Sequence, residues 1–129
     1  MAQEPIEIIL LRQLSSYLML PIWITDDQGN LIYYNEPAED LLGRRFDEAG
    51  EVGADALAEM FVTTHLDGSP IPNEELPLVV ALTEHHPAHL PMRIKRLDGA
   101  PRTIELTALP IVGQGDRFLG TLCAFWEMH

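Results

Sequence analysis

The sequence predicts an α+β domain: an antiparallel sheet of five strands, with short helices on one face and an N-terminal helix packed on the other. Two observations lead to this fold class: a β-hairpin near the N-terminus, and a three-stranded meander at the C-terminus beyond a helix-rich segment. The chain has 129 residues, 47% of them hydrophobic, which suits one compact unit. We therefore divide it into an N-terminal helix for capping or dimerisation (1–20) and the domain proper (21–129).

The N-terminal segment 5–20 is expected to be a helix, because Pro5 suits a first turn and Pro21 ends the pattern. Its apolar residues form two overlapping faces, more than one side of a solvated helix needs. Either the helix packs deeply into its own domain, or one face meets a partner chain. The first face consists of Leu10, Leu14, Tyr17 and Leu18, and the second of Ile8, Leu11 and Leu18.

A hairpin follows, with β-prone runs at 22–25 and 31–34 joined by a turn rich in Asp, Gly and Asn. Asn35 is then a good N-cap for a short helix over 36–42, which Gly43 ends. These residue types predict a strand, a turn, a second strand and a helix, in that order.

The middle of the chain reads as short helices separated by loops. A helix is expected over 54–61, between loops at 44–53 and 64–73. Another opens with Asn73 as its cap and ends before Pro87. Strands follow, separated by Gly-containing turns, and complete the sheet. The three strands are 89–97, 102–112 and 117–128.

The alternation of side chains along the strands predicts two functional surfaces. An inward set would fill the core or hold a small apolar ligand, with Tyr33, Tyr34 and Trp126 as polar anchors. It consists of Ile24, Tyr33, Leu76, Val80, Met92, Ile94, Ile104, Leu106, Leu122 and Trp126. An outward set on the last strand, together with the helix, would carry a homodimer contact. It consists of Leu119, Cys123 and Phe125, with Leu10, Leu14, Tyr17 and Leu18.

The charge is strongly acidic and unevenly placed. Asp and Glu number 20 against 8 Lys and Arg, and the 14 acids and 2 arginines within 26–84 account for the entire net charge of −12. Such a surface repels nucleic acid and anionic lipid, and the apolar stretch 6–24 contains too many polar side chains to span a membrane. The near-neutral remainder is where we expect a partner. The single cysteine fits a reducing, cytoplasmic compartment.

Enzymatic chemistry finds no support in the sequence. The serines lie in no nucleophile motif, and the Gly-containing turn at 113–115 joins strands rather than preceding a helix. The histidines His85, His86 and His89 are the most suggestive metal ligands, but Pro87 breaks their helical spacing. We therefore expect neither catalysis nor a bound metal.

The segments 20–43 and 91–127 resemble the PAS domain, a sensory α+β fold. The first contains Asp26, Gly29 and Asn35, followed by a Pro/Ala/Glu helix ending in Gly; the second contains Asp-Gly at 98–99, Pro110 and Gly120. Their order and spacing together carry the resemblance, which covers about residues 14–128. It implies a PAS-like sheet and a sensory or signalling role through dimerisation, a small ligand or a downstream signalling protein.

The resemblance leaves alternatives open. The chain could be a ligand-free interaction module or, as in haem-binding relatives, a haem sensor using His85 or His86. The flavin photochemistry of the light-sensing subfamily needs an Asn-Cys-Arg motif, whereas Cys123 lies on the last strand. Many relatives end in Asp-Ile-Thr leading to an output module; here the chain has Glu127, Met128 and His129. We expect either a domain that works alone or a piece of a longer protein.

Overall fold

A computed structural model confirms the α+β class and describes residues 5–42, 51–53, 61–96 and 101–128. The antiparallel sheet has six strands in the order β2-β1-β6-β5-β4-β3, one more than predicted. The strands are β1 (Ile22–Asp26), β2 (Leu31–Tyr34), β3 (Phe61–Thr64), β4 (Ala88–Arg96), β5 (Arg102–Val112) and β6 (Phe118–Glu127). The helices are α1 (Ile6–Tyr17), α2 (Glu36–Leu42) and α3 (Pro77–Glu84), with 3₁₀ turns at Asn73–Glu75 and Gln114–Asp116.

The additional strand is β3, where the sequence predicted the end of a helix and the start of a loop. Val62, Thr63 and Thr64 are β-branched and suit a pleated strand. They pair antiparallel with β4, Val62 opposite Lys95 and Thr63 opposite Ile94. The prediction failed because four residues are too few to show a period of two. The helix predicted over 54–61 falls mainly outside the described residues.

The helix boundaries differ from the prediction at α1 and α3. The first ends at Tyr17, because Leu18 is already extended with ψ 144°. The third begins at Pro77, after a separate 3₁₀ turn, so Asn73 is not its cap. It ends where His85 takes the left-handed conformation with φ 58°. The chain has therefore turned before it reaches Pro87.

The sheet separates two apolar layers, as predicted. The inner layer lies on the face that carries α3, and the outer layer lies under α1. The inner layer comprises Trp23, Leu31, Tyr34, Ala38, Ile71, Ala81, Met92, Ile94, Ile104, Leu106, Ala108, Cys123 and Phe125. The outer layer comprises Ile8, Ile22, Ile24, Ile32 and Ile111, with Leu11, Tyr33, Leu119, Leu122 and Ala124 packed against them.

The faces of β6 are the reverse of the prediction. Cys123 and Phe125, expected outside, belong to the inner layer, whereas Leu122, expected inside, packs in the outer layer. The period was correct, but both sets of alternate residues are apolar, so hydrophobicity did not decide which set faces α3. Leu119 does lie outside, because the pairing of β6 with β5 shifts between Ile111 and Val112 and changes the alternation there.

Gly120 sits at this irregularity, opposite Asp26 of β1 and Ile111 of β5. Its φ is 150°, and a Cβ atom there would collide with the backbone carbonyl of Thr25. The close approach of β1 to β6 therefore requires glycine at this position.

We predict that Gly120→Ala lowers the free energy of unfolding by about 3 kcal/mol, because backbone rather than a flexible side chain would have to move. Gly115→Ala is the matched control, since Gly115 also has positive φ (72°) but has no heavy atom within 4 Å of the position that a methyl group would occupy. This control should lose only about 1 kcal/mol. Urea unfolding measures both, and equal losses would contradict the proposed collision.

Candidate functional site

The N-terminal helix, β1 and α2 meet at the side chain of Asn35, which is 1% exposed. Its amide nitrogen donates hydrogen bonds to the carbonyl oxygens of Ser15 (3.0 Å) and Leu20 (2.8 Å). Its amide oxygen accepts from the backbone N–H groups of Ile22 (3.0 Å) and Ala38 (3.3 Å). Asn35 was predicted only as an N-cap; the bond from Ala38 confirms that cap, and the side chain joins four backbone segments in all.

The α1 helix has one face on the sheet and the other in solvent. Ile8 is buried and Leu11 half-buried against the outer layer. On the opposite side Leu10, Leu14 and Tyr17 are 56%, 55% and 74% exposed. The helix therefore carries both apolar faces that its sequence indicated, and only one of them is used within the described chain.

A cation–π contact adds to the docking of α1 on the sheet. The Arg12 guanidinium lies 5.3 Å from the centre of the Tyr33 ring on β2. Partial burial raises the pKa of the Tyr33 hydroxyl, and the positive charge of Arg12 offsets part of that rise. At neutral pH Tyr33 is therefore an uncharged aromatic surface for the helix.

The inner layer contains polar groups that the sequence analysis did not single out. The hydroxyls of Thr25 and Thr121 lie 2.6 Å apart on neighbouring strands, and both residues are fully buried. Burial raises the pKa of the nearby Cys123 thiol to about 12, partly offset by the Thr121 hydroxyl. Thr121 shares the inner face of β6 with Cys123, the face that the sequence had placed outside, so no sequence signal marked this buried hydroxyl pair.

The residues predicted to line a ligand pocket do not converge on one space. Five belong to the inner layer or pack against it, and three lie in the outer layer. Of the other two, Trp126 is exposed beside His89, and Val80 is half-buried on α3. The inner five are Leu76, Met92, Ile94, Ile104 and Leu106. The outer three are Ile24, Tyr33 and Leu122.

The residues predicted for a dimer contact also separate. Leu18 is exposed just after α1, close to the stripe of Leu10, Leu14 and Tyr17, and Leu119 is half-buried in the outer layer. The other two predicted residues, Cys123 and Phe125 on β6, face the inner layer rather than the outside. The ring of Phe125 makes an edge contact with that of Trp23, with centroids 5.2 Å apart. The exposed part of the predicted surface is therefore the helix stripe.

The histidines are exposed and engaged locally. His85 stacks on Phe118 with ring centres 4.0 Å apart. His86 contacts the Pro87 carbonyl and the Glu84 carboxylate, and these two contacts, in that order, raise its pKa. The ring positions of His85 and His86, the two candidate haem ligands, thus lie on the surface at the end of α3 rather than in the inner layer.

A third histidine belongs to a surface cluster on the outer face of the sheet. The Nδ1 atom of His89 lies 2.7 Å from the Thr107 hydroxyl, and its Nε2 atom lies 4.0 Å from the Glu105 carboxylate. Over residues 5–42, 51–53, 61–96 and 101–128, no three His, Cys, Asp or Glu side chains come together as a metal site. Within the same ranges, none of the helices has the length and apolar character needed to cross a bilayer.

Comparison with known proteins identifies relatives of this fold. Residues 19–126 match the family model for the PAS domain. The chain is similar to the PAS domain of a protein from Colwellia psychrerythraea, at 22% identity and a TM-score of 0.65, over 94% of this chain and 96% of that one. Among curated protein sequences no significant similarity is found.

Two further solved structures resemble the chain. One is the PAS domain of nitrogen regulation protein NR(II) from Vibrio parahaemolyticus, at 20% identity and a TM-score of 0.65, covering 92% of this chain and 98% of that one. The other is the LOV protein of Rhodobacter sphaeroides, at 13% identity and a TM-score of 0.71, covering 97% of this chain and 69% of that one. At such identities the likeness establishes the shared fold.

We predict that Asn35→Ala lowers the free energy of unfolding by about 3 kcal/mol, because buried backbone groups at the junction lose their partners. The control is Asn73→Ala, in an exposed 3₁₀ turn without a side-chain cap bond, which should change stability by less than about 0.5 kcal/mol. Urea unfolding measures both variants. Similar losses for both would show that the junction contributes little.

We also predict that Cys123 resists thiol reagents in the folded protein, because its pKa of about 12 keeps it protonated and its side chain is fully buried. Mixing with a chromogenic disulfide reagent at mildly alkaline pH should give labelling only as the protein unfolds in urea. A Cys123→Ala/Ser69→Cys variant, with its thiol in an exposed loop, provides the control and should react at once. Equally fast labelling of the unmodified protein would contradict this burial.

Proposed function

The chain belongs to the PAS-domain family, and on that premise we propose that it is a cytoplasmic sensory and signal-transduction module that acts by dimerising through α1. The PAS domain of a nitrogen regulation protein is among the solved structures that share its fold. The proposal assigns no catalytic step to the chain. Its output would be the arrangement of two α1 helices, read by a downstream signalling protein.

One observation carries the dimer proposal: the exposed stripe of Leu10, Leu14 and Tyr17, each more than half accessible on a helix already docked by its other face. Contiguous apolar surface of this kind marks interfaces in soluble proteins. The stripe also lies in the N-terminal segment 1–25, which has two acids and one arginine, so two copies can approach without strong repulsion.

The mechanism follows from how α1 is attached. Ile8 and Ser15 are its buried residues, and Asn35 bonds the Ser15 carbonyl from the adjoining helix start. A signal that changes the sheet beneath Ile8, or the junction at Asn35, would shift the population between two positions of α1. To shift this population, the signal must bind more tightly when α1 is in one position than in the other. The geometry of the dimer would then report the shift.

For the signal itself we propose a small apolar molecule bound between the sheet and the short helices. The five predicted pocket residues in the inner layer provide the apolar surface for it. The alternative is a ligand-free module in which contact with a partner protein alone shifts α1. The exposed helix stripe supports this ligand-free module as well as it supports the sensor, because contact between proteins through the stripe needs no ligand.

We predict that the protein is a dimer and that Leu14→Asp weakens self-association by roughly a hundredfold, because a charge would replace a central apolar contact. Sedimentation velocity over a concentration series measures the dissociation constant. Native mass spectrometry of the same sample reports the dimer mass and any additional ligand mass.

Val62→Asp is the matched control, since Val62 is 51% exposed on the edge strand β3 and the substitution is of the same kind. It should leave association unchanged. A monomer that is unaffected by Leu14→Asp would overturn the dimer proposal. An added mass in the native spectrum supports the sensor, whereas a dimer with the bare polypeptide mass supports the interaction module.

A further inference from the structure

A separate open groove of about 500 Å³ lies where the end of α1, the start of α2 and the adjacent ends of β5 and β6 meet. Its floor is formed by Ile104 and Phe125, both buried. One wall is the connection between α1 and β1, and the opposite wall is α2. This groove adjoins the stripe that carries the dimer proposal, since Tyr17 lines its edge, whereas Leu10 and Leu14 do not line it.

The groove offers apolar anchors. Met19, on the connecting segment, is 88% exposed, and Pro21 and Pro37 line the same space. A methionine is a flexible apolar side chain that adapts to different partners. Together with the Phe125 ring below, these groups suit a bulky apolar side chain from outside.

The charge of the groove is negative. Glu36 and Asp40 stand on α2 one helical turn apart, and Glu127 lines the far end. Arg102 is the cationic side chain in the described lining, and it already pairs with Glu127 at 3.2 Å. Neither Glu36 nor Asp40 has a cationic partner among the residues that the structure describes. Within that part of the chain, the groove therefore presents two carboxylates without nearby compensation.

The walls of this groove are tied to each other while α1 is docked as described above. Asn35 bonds the carbonyl oxygens of Ser15 and Leu20 on one wall, and it caps Ala38 on the other. All three bonds come from one buried amide. The groove is therefore preorganised, which reduces the entropy lost when a partner binds.

We propose that this groove binds a basic amphipathic segment of a partner protein, with an apolar side chain against Met19 and Phe125 and two cationic side chains facing Glu36 and Asp40. The two carboxylates are four residues apart on a helix, so the cations would be spaced by about 6 Å. A helical segment with Lys or Arg one turn apart matches that spacing. The net charge of −12 would also speed the approach of such a segment.

The proposal goes beyond dimerisation and can fail independently of it. The substitutions that test it, at Glu36, Asp40 and Met19, lie outside the dimer stripe. The substitution Leu14→Asp, which tests the dimer, leaves these three groove residues intact. A second copy of this chain is the alternative occupant, and sedimentation of the groove variant reports on it.

In the experiment, a displayed library of random dodecapeptides is selected for binding to the immobilised full chain. Peptides that also bind the Glu36→Lys/Asp40→Lys variant are then removed. We expect the surviving peptides to combine an apolar residue with two basic residues one turn apart. Failure to obtain any peptide that discriminates between the two proteins would overturn the proposal, as would enrichment of acidic peptides.

The best peptide is then titrated by fluorescence anisotropy. Glu36→Lys/Asp40→Lys should weaken binding by roughly tenfold or more through lost charge complementarity, and Met19→Ser should weaken it about threefold without changing the charge. The matched control is Glu74→Lys/Glu75→Lys, a pair of exposed acids in the first 3₁₀ turn, whose substitution changes the net charge equally. It should bind within about twofold of the unmodified chain.

Three results would overturn the proposal at this stage. Equal weakening by the groove and control variants would show attraction to net charge alone. If the Met19→Ser variant bound the peptide as tightly as the unmodified chain, Met19 would not be an apolar anchor. A change in the sedimentation of the groove variant without peptide would identify a second copy as the occupant. Thermal unfolding followed by circular dichroism verifies that each variant is folded.

Discussion

The buried amide of Asn35 is the interaction on which the arrangement of the N-terminal half depends. One side chain supplies two donors and one acceptor, and all are used on backbone groups from α1, the connecting segment, β1 and α2. The backbone N–H of Asn35 also donates to the Ile22 carbonyl, so the amide adds to the pairing of β1 with β2 the links to α1 and the connecting segment. The docking of α1, the exposure of its second face and the walls of the acidic groove all follow from this junction.

The two proposed surfaces use different forces. The α1 stripe is apolar and nearly neutral, so the proposed association there would depend on burial and tolerate salt. The groove adds the carboxylates of α2 to an apolar floor, so binding there depends on charge complementarity as well. Since the surfaces lie side by side and share the Asn35 junction, movement of α1 on the sheet would alter both.

Much of the fold could be predicted because hairpin, helix caps and meander each have local signals in residue type and spacing. Asn35 could be predicted as a cap, but its bonds to Ser15 and Leu20 depend on how α1 returns to the sheet, which no local pattern encodes. The orientation of β6 could not be predicted either, because Leu122 and Cys123 are both apolar and the alternation between them is symmetric. The groove depends on residues far apart in the chain, such as Met19 and Phe125.

The two edges of the sheet restrict how this domain can polymerise. The edge strands β2 and β3 are each only four residues long. Leu31 of β2 exchanges backbone hydrogen bonds with Val52, and Thr64 of β3 forms a bridge with Pro70. On the part of these edges that the structure describes, few backbone groups therefore remain for strand addition by another chain. Assembly of the kind proposed above would then use side-chain surfaces rather than open-ended growth of the sheet.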